Sequence, residues 1–240
     1  MPDHTVGTRE EWQAARAELL DREKAHTRES DAIAAARRDL PWVLVDKEYG
    51  FDTEDGEKSL PELFDGRSQL LVYHFMFGSE YTAGCPVCTS GADTYNGAQA
   101  HLHARDVNLV LVSRAPVDRL LDYRERMGWT LPWVSQKGDF NADFGAAFTE
   151  EQIEQFLASD DLGAMPEVAA MCGVDPAHFM TEAPVMSAFT LDGGVVYQTY
   201  STTARGLEPL MAYYGVLDLA PRGRDEGSPP EMWIRRHDEY

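Results

Sequence analysis

Apolar and polar positions along this chain follow three patterns, and each predicts a different element. From Thr8 to Asp39 the sequence is rich in Ala, Glu and Arg and holds neither Gly nor Pro. Trp12, Ala15 and Leu19, then Ile33, Ala36 and Leu40, recur at helical spacing, and Thr8-Arg9-Glu10-Glu11 is a capping box. The pattern predicts one long helix or two shorter ones that lay an apolar stripe on the rest of the protein. Such a helix is a packing or dimerisation arm, and Leu40-Pro41 ends it.

The second pattern is the unbroken apolar run. Residues 70–77 and 108–113 read as central strands covered on both faces, with a helix from about Cys88 to Ala104 between them. Strand, helix and strand in this order make a parallel crossover. Residues 42–45 open an earlier strand, 46–56 read as a hairpin and 59–64 as a short capped helical turn. Residues 116–127 form a further helix and 131–135 a short third strand. The third pattern is alternation around a glycine turn: 187–191 and 195–200, joined by Asp192-Gly193-Gly194, make a hairpin. A helix from about Ala204 to Tyr214 follows. Residues 149–180, acidic and broken by Gly163, Pro166, Gly173 and Pro176, read as a helical insertion. The chain thus divides into a helical extension (1–41), an α/β domain (42–220) and a tail (221–240) that drapes over the domain or a partner.

Composition changes this picture little. The 240 residues, 43% hydrophobic and 10% aromatic, can bury a sizeable core. The 21 Lys and Arg against 41 Asp and Glu give a net charge of −20, which argues against non-specific binding to nucleic acid or an anionic membrane. No run of eighteen apolar residues occurs, and the start Met1-Pro2-Asp3-His4-Thr5 lacks the basic and apolar regions of a secretory signal, so a soluble, cytoplasmic chain is expected.

The cysteines carry the candidate chemistry. Cys85, Cys88 and Cys172 are too few and of the wrong parity for a disulfide scaffold. Two of them form the C-x-x-C of Gly84-Cys85-Pro86-Val87-Cys88, between a buried strand and a helix, where unpaired N–H groups and the helix dipole favour a thiolate. Pro86 suits a first helical turn, and the two-residue spacer lets the second sulfur close a disulfide on the first. Reversible dithiol chemistry follows. Zinc would need two further ligands that no second C-x-x-C or nearby H-x-x-x-H supplies, and Thr89 after Cys88 excludes haem attachment. His101 and His103 could join the thiols in a copper site, but a continuous helix would place them about 20 Å from Cys88 unless Gly91 or Gly97 breaks it.

Strand direction brings other residues to the sulfurs. The C-terminal ends of the two parallel strands share one sheet edge, so Arg114 is placed to stabilise a thiolate or orient an acidic or peroxide-like substrate. If the last hairpin begins at this edge with Pro184, its second strand returns Tyr200, Ser201 and Arg205 toward the site. Ala183-Pro184 precedes a strand, and X-Pro bonds are the ones able to be cis. His74, inside an apolar strand, reads as a hydrogen-bonded core histidine. Cys172, with no partner within sequence reach, reads as a bystander.

A strand, a C-x-x-C heading a helix, a parallel strand, then a proline before a β-hairpin and a last helix resemble the thioredoxin superfamily. The resemblance implies an α/β, thioredoxin-like three-layer sandwich, here with an N-terminal helical extension and an insertion. By it, Pro184 is the cis-proline that faces the dithiol and docks an extended thiol substrate. Tyr49-Gly50-Phe51 to Gly56, Ser59-Leu60, Leu63-Phe64 and Gly128-Trp129-Thr130-Leu131-Pro132-Trp133-Val134-Ser135 are similar to the peroxiredoxin branch. Against that branch's Pro-x-x-x-Thr-x-x-Cys, aligning Cys85 matches Thr82 but leaves Gly78 at the proline, and aligning Cys88 leaves Tyr81 and Cys85 at the proline and threonine. More narrowly, the chain resembles the domain-of-unknown-function 899 family, predicted dithiol-disulfide oxidoreductases. Leu40-Pro41-Trp42-Val43, residues 70–78, Gly84 to Cys88, Arg105-Asp106-Val107, Ser113-Arg114-Ala115-Pro116, Tyr200-Ser201-Thr202 and Trp233 to Tyr240 carry this likeness.

The expected activity is thiol–disulfide exchange. Cys85, nearer the loop, attacks a substrate disulfide as a thiolate, Cys88 resolves the mixed disulfide, and Pro184, Arg114, Thr82, Tyr200 and Arg205 line the substrate groove. Expected partners are a thiol or disulfide substrate, an upstream thiol reductant and a second copy of the chain, with no cofactor and no bound metal. Two alternatives stay open: a thiol peroxidase on the same scaffold, and a non-enzymatic module holding Cu(I) or Zn(II).

Overall fold

The two apolar runs form the middle of an eight-stranded sheet in this computed structural model, which describes residues 5–159 and 162–240. Met1 to His4, where the absence of a signal was read, and residues 160–161 of the insertion lie outside the described residues. The chain divides into two units, 1–42 and 43–240.

The first unit is α1 (Arg9–Arg38), one continuous helix. The Thr8 hydroxyl accepts the Glu11 N–H at 3.2 Å, and the Glu11 carboxylate accepts the Thr8 N–H at 2.7 Å, which closes the capping box. No residue of α1 is buried. The stripe of Trp12, Leu19 and Ile33, expected to pack down, is exposed. Helix propensity, capping and the acidic first turn and basic last turn support α1 instead.

The second unit holds β1 (Val43–Leu44), β2 (Gly50–Thr53), β3 (Gly56–Ser59), β4 (Gln69–His74), α2 (Pro86–Asn96), α3 (Gln99–His103), β5 (Val107–Ser113), α4 (Val117–Arg126), β6 (Trp133–Gln136), α5 (Phe140–Asp143), α6 (Glu150–Leu157), α7 (Met165–Met171), α8 (Pro176–Phe179), β7 (Val185–Asp192), β8 (Val195–Thr203) and α9 (Ala212–Leu217). The strand order is β1-β8-β7-β4-β5-β6-β2-β3, with β4, β5 and β6 parallel and the other pairs antiparallel. Side chains alternate across the central strands with the period of two that a strand imposes. Tyr73, Leu109 and Leu111 enter one core with α2, α4, α9 and Ile234 of the tail. Leu70, Val72, Val110 and Val112 enter the other, under Phe51, the 3-10 turn Pro61–Phe64 and Phe140 of α5. The sheet is the middle of three layers. The succession β8-β7-β4-β5, with the C-x-x-C helix between parallel β4 and β5, is the thioredoxin-like fold that the resemblance implied.

Local chemistry moves several boundaries. The helix expected over 88–104 begins at Pro86 and breaks at Gly97 into α2 and α3. The hairpin expected over 46–56 lies at 50–59, because the Thr53 hydroxyl donates to Gly56 O at 2.7 Å and accepts the Asp55 N–H, which sets the turn at Glu54-Asp55. The last helix is a 3-10 segment, Ala204–Leu210, followed by α9, since Pro209 lacks the N–H that an α-helix needs. The Ala183–Pro184 bond is trans, against expectation, and Ser228–Pro229 is the cis bond among the described residues. The Ala183 N–H reaches Ala146 O at 2.9 Å and Pro184 O accepts the Thr203 hydroxyl at 2.6 Å, so extended chain runs directly into β7. No described helix is long and apolar enough to cross a membrane.

His74 is the core histidine its apolar strand suggested. Its Nδ1 lies 2.9 Å from Asn141 Oδ1 and its Nε2 3.0 Å from Ser187 Oγ. Burial pushes its pKa down to about 4, against the hydrogen bond to Asn141. The unfolded chain therefore binds a proton that the folded ring refuses, and the stability His74 supplies above pH ~6.5 is lost as pH falls toward ~4, by roughly 3 kcal/mol in all. Denaturant titrations across this range should show the slope for the wild type and a flatter one for His74→Gln.

Candidate active site

Three segments that are remote in sequence meet at the C-terminal ends of β4 and β5: the loop before α2, the end of the insertion, and the tail. Cys85 is the N-cap of α2 and Pro86 its first residue. The Cys85 N–H donates to Met76 O at 3.1 Å, and its carbonyl accepts the Thr89 N–H and hydroxyl, both at 2.9 Å. Position 84 admits only glycine, because a β-carbon there would lie 2.6 Å from the Phe75 ring. Both sulfurs are covered, Cys85 being 2% and Cys88 1% exposed.

The insertion supplies a third sulfur. Cys172 caps the end of α7, is fully buried, and accepts at its carbonyl the Thr82 N–H at 2.9 Å and hydroxyl at 3.3 Å. Gly173 follows at φ 74°, with Thr82 so close to its backbone that a β-carbon has no room. Cys172 packs in one buried cluster with Cys85 and Cys88, and its thiol is the largest influence lowering Cys85. Cys172 is therefore part of the sulfur cluster rather than a bystander. Only the folded insertion brings it there, and no spacing in the sequence encodes that contact.

The three thiols are electrostatically unequal. Hydrogen bonds from Cys172 and Cys88, and the N–H groups of Cys88 and Val87 at the helix start, hold Cys85 well below the usual thiol range in spite of its burial. Burial and the adjacent Cys85 push Cys88 up, while the Tyr73 hydroxyl, which has no other partner, opposes this. Cys172 is pushed up by its bond to Cys85 and by burial, and the Arg236 guanidinium opposes that rise. Arg236 comes from the tail and its side chain is 5% exposed. Its Nη2 donates to Gly84 O at 2.8 Å and Met171 O at 2.6 Å, its Nε to the Tyr123 hydroxyl at 3.0 Å, and its Nη1 to Glu239 at 2.8 Å. Sequence reading quoted the block Trp233 to Tyr240 and gave Arg236 no role. The one available signal was a charged residue two positions after the apolar Ile234.

A cavity of about 270 Å³ opens onto Cys85 and Cys88. Met76, Val87, Phe148, Met165, Val168, Phe179, Met180, Pro184, Pro230 and Met232 line it, and Glu182 and Glu231 are its charged side chains. Glu182 is 1% exposed; burial pushes its pKa up to about 7, while ion pairing with Arg114 and a bond from Asn141 Nδ2 oppose the rise. Burial and Cys85 both raise Glu231. A larger groove of about 750 Å³ along Leu44 to Gly50 and Glu57 to Glu62 holds no thiol.

Of the residues singled out in the sequence, Cys85, Cys88 and Pro184 share this cavity. Arg114 pairs with the buried Glu182 carboxylate and is outside the cavity lining. Thr82 bonds the Cys172 backbone. Tyr200 and Arg205 are outside the cavity lining. Val185 pairs with Thr203, so the residue returning beside Pro184 is Thr203, and Tyr200 lies down the strand opposite Ala188. Arg205, exposed on the following 3-10 turn, pairs with Glu208 at 2.6 Å. His103 meets Asn108 at 3.2 Å, and among the described residues no group of three His, Cys, Asp or Glu is placed to hold a metal ion.

The family described as "Bacterial protein of unknown function (DUF899)" matches residues 1–240, and the chain belongs to it. Comparison with curated proteins returns no match. Among solved structures, similarity extends to peroxidoxin BcpB from Mycobacterium tuberculosis, at 16% identity and TM-score 0.40 over 72% of this chain and 93% of that one. Peroxiredoxin Q from Xanthomonas campestris matches at 15% identity and TM-score 0.41 over 73% and 96%. A yeast mitochondrial 1-Cys peroxiredoxin matches at 16% identity and TM-score 0.39 over 75% and 77%. Likeness at this level carries no activity over to this chain.

The electrostatics of the cluster are testable at Cys172. Cys172→Ala removes a thiol that lowers Cys85, so the midpoint of the pH profile of Cys85 alkylation by iodoacetamide should move up by about one pH unit, the effect of losing a ~1.5 kcal/mol bond to a charged group. An unchanged pH profile of alkylation would show that the thiol does not donate.

Proposed function

We propose that the chain is a thiol–disulfide oxidoreductase in which Cys85 is the nucleophile and Cys88 resolves the mixed disulfide. The polarity of the pair carries this reading: the thiol at the start of α2 is held low, and its neighbour, covered by Tyr73, is held high. A ready thiolate beside a protonated thiol suits the two steps in turn. Cys85 attacks one sulfur of the substrate disulfide, the other leaves as a thiolate, and Cys88 then displaces the bound half while the pair closes its own disulfide. Pro184 and the methionines beside the sulfurs provide the docking wall. The reading includes a cytoplasmic setting, an upstream thiol reductant that reopens the pair, and association of two copies through the exposed stripe of α1.

The small cavity over buried sulfurs supports a second reading. The same thiolate would attack a hydroperoxide R′OOH, break its O–O bond, release the alcohol R′OH and leave Cys85 as a sulfenic acid, which Cys88 would condense to the disulfide with loss of water.

Cys85→Ser should abolish both reactions, whereas in the wild type the rate of disulfide exchange should stay flat with pH until well below the usual thiol range. Stopped-flow measurement with one equivalent of a disulfide or of peroxide separates the readings. Oxidation by peroxide within seconds favours the peroxidase. Exchange activity retained by Cys85→Ser would eliminate both.

A further inference from the structure

We propose that Cys172 is a second resolving thiol, so that Cys85 can close a disulfide with either Cys88 or Cys172; the assignment rests on the oxidoreductase reading above. Cys172 is fully buried in the same core cluster as Cys85 and Cys88. It stands at the end of α7, where the insertion packs against the loop that leads into Cys85.

Two independent devices fix this approach. Thr82 holds the Cys172 carbonyl through both its N–H and its hydroxyl. A single nitrogen of Arg236, Nη2, spans the carbonyls of Gly84 and Met171, the residues just before the two cysteines. The loop before α2 and the end of α7 are thus clipped together at corresponding positions. A disulfide forms without backbone rearrangement only between sulfurs already brought to contact. Arg236 and Thr82 hold the two segments that carry Cys85 and Cys172 against each other, as the C-x-x-C spacing holds Cys85 and Cys88.

The surroundings of the flanking thiols suit the same step. Both are held protonated in part by the charge on Cys85, which disappears when Cys85 enters a mixed disulfide. What then remains beside each differs: the Tyr73 hydroxyl and the Met76 N–H at Cys88, the Arg236 guanidinium at Cys172. Each thiol therefore has its own means of ionising once the Cys85 sulfur has become the electrophile. The Cys85 thiolate attacks a disulfide RSSR′, forming Cys85–S–S–R and releasing R′S⁻. Cys172 loses its proton to that leaving thiolate, attacks the Cys85 sulfur and expels RS⁻, which is protonated by solvent. The two protein thiols give up two electrons, and the substrate disulfide becomes two thiols.

The test adds one equivalent of hydroxyethyl disulfide to the reduced wild type, Cys88→Ser, Cys172→Ser and the double variant. Released mercaptoethanol is counted, and disulfide-linked peptides are identified by mass spectrometry after alkylation. The expected result is about two equivalents of thiol released from Cys88→Ser with a Cys85–Cys172 linked peptide, and about one equivalent from the double variant, which keeps the mixed disulfide on Cys85. A mixed disulfide that persists in Cys88→Ser, with Cys172 still alkylated, overturns the second resolver and leaves the Cys85–Cys88 reading intact. No reaction at Cys85 in the wild type overturns both. If Cys88→Ser does not fold, Cys88→Ala and brief oxidation of the wild type provide the same peptide readout, and absence of the Cys85–Cys172 peptide in both counts against the proposal.

Discussion

Three thiols and a guanidinium buried together at one edge of the sheet are the constraint on which the rest of this structure depends. An isolated buried charge is untenable unless hydrogen-bonded and balanced, and Cys85 is 2% exposed. The start of α2 supplies N–H groups, the adjacent thiols supply donors, and Arg236 places a buried cation on the far side of the cluster. Cys172 and Arg236 are remote in the chain from α2 and from each other. Satisfying one sulfur therefore draws the insertion and the tail onto the sheet edge, which explains why residues far outside the thioredoxin-like strands are packed into its core.

The same economy runs through the opposite face. Arg114, Glu182, Asn141, His74 and Ser187 form a connected chain of polar groups from the half-exposed guanidinium into the core. Each buried member has its partner, the condition under which such a network rigidifies a core. Glu182 belongs to this network and to the cavity wall, so the floor of the cavity is held by the central strand through His74 and by the insertion through the chain that follows α8. Its carboxyl near neutrality places a proton-holding group beside the dithiol without exposing it to water.

What the sequence disclosed and what it withheld divide along contact range. The central strands were legible because an apolar run of six to eight residues has few other uses, and the C-x-x-C because its chemistry lies within one helical turn. His74 was legible by the same logic, since a lone imidazole amid apolar residues must find partners. The trans bond at Pro184 was not, because it depends on Ala146 and Thr203. The pairing of Tyr200 with Ala188 follows from the register of the hairpin, and that of Arg114 with Glu182 from a carboxylate buried by the insertion, neither of which a strand count reveals. Cys172 and Arg236 were invisible for the strongest reason: their roles exist only relative to each other and to Gly84.

The clamp also bears on how such a site can turn over. Arg236 is held by two carbonyls, a phenol and a carboxylate, none of which gains or loses charge when the sulfurs are oxidised. On the proposed reading, oxidation of the sulfurs therefore removes none of the hydrogen bonds that hold Arg236. The changing charge is confined to the cysteines. Substrate must then come to a fixed cluster through a small, largely apolar cavity whose charged side chains are carboxylates. Those carboxylates repel anionic ligands when ionised, while the methionine-rich wall adapts to varied apolar shapes. On the proposed reading, selectivity is thus set by what the cavity admits, and reactivity by the segments that the clamp holds together.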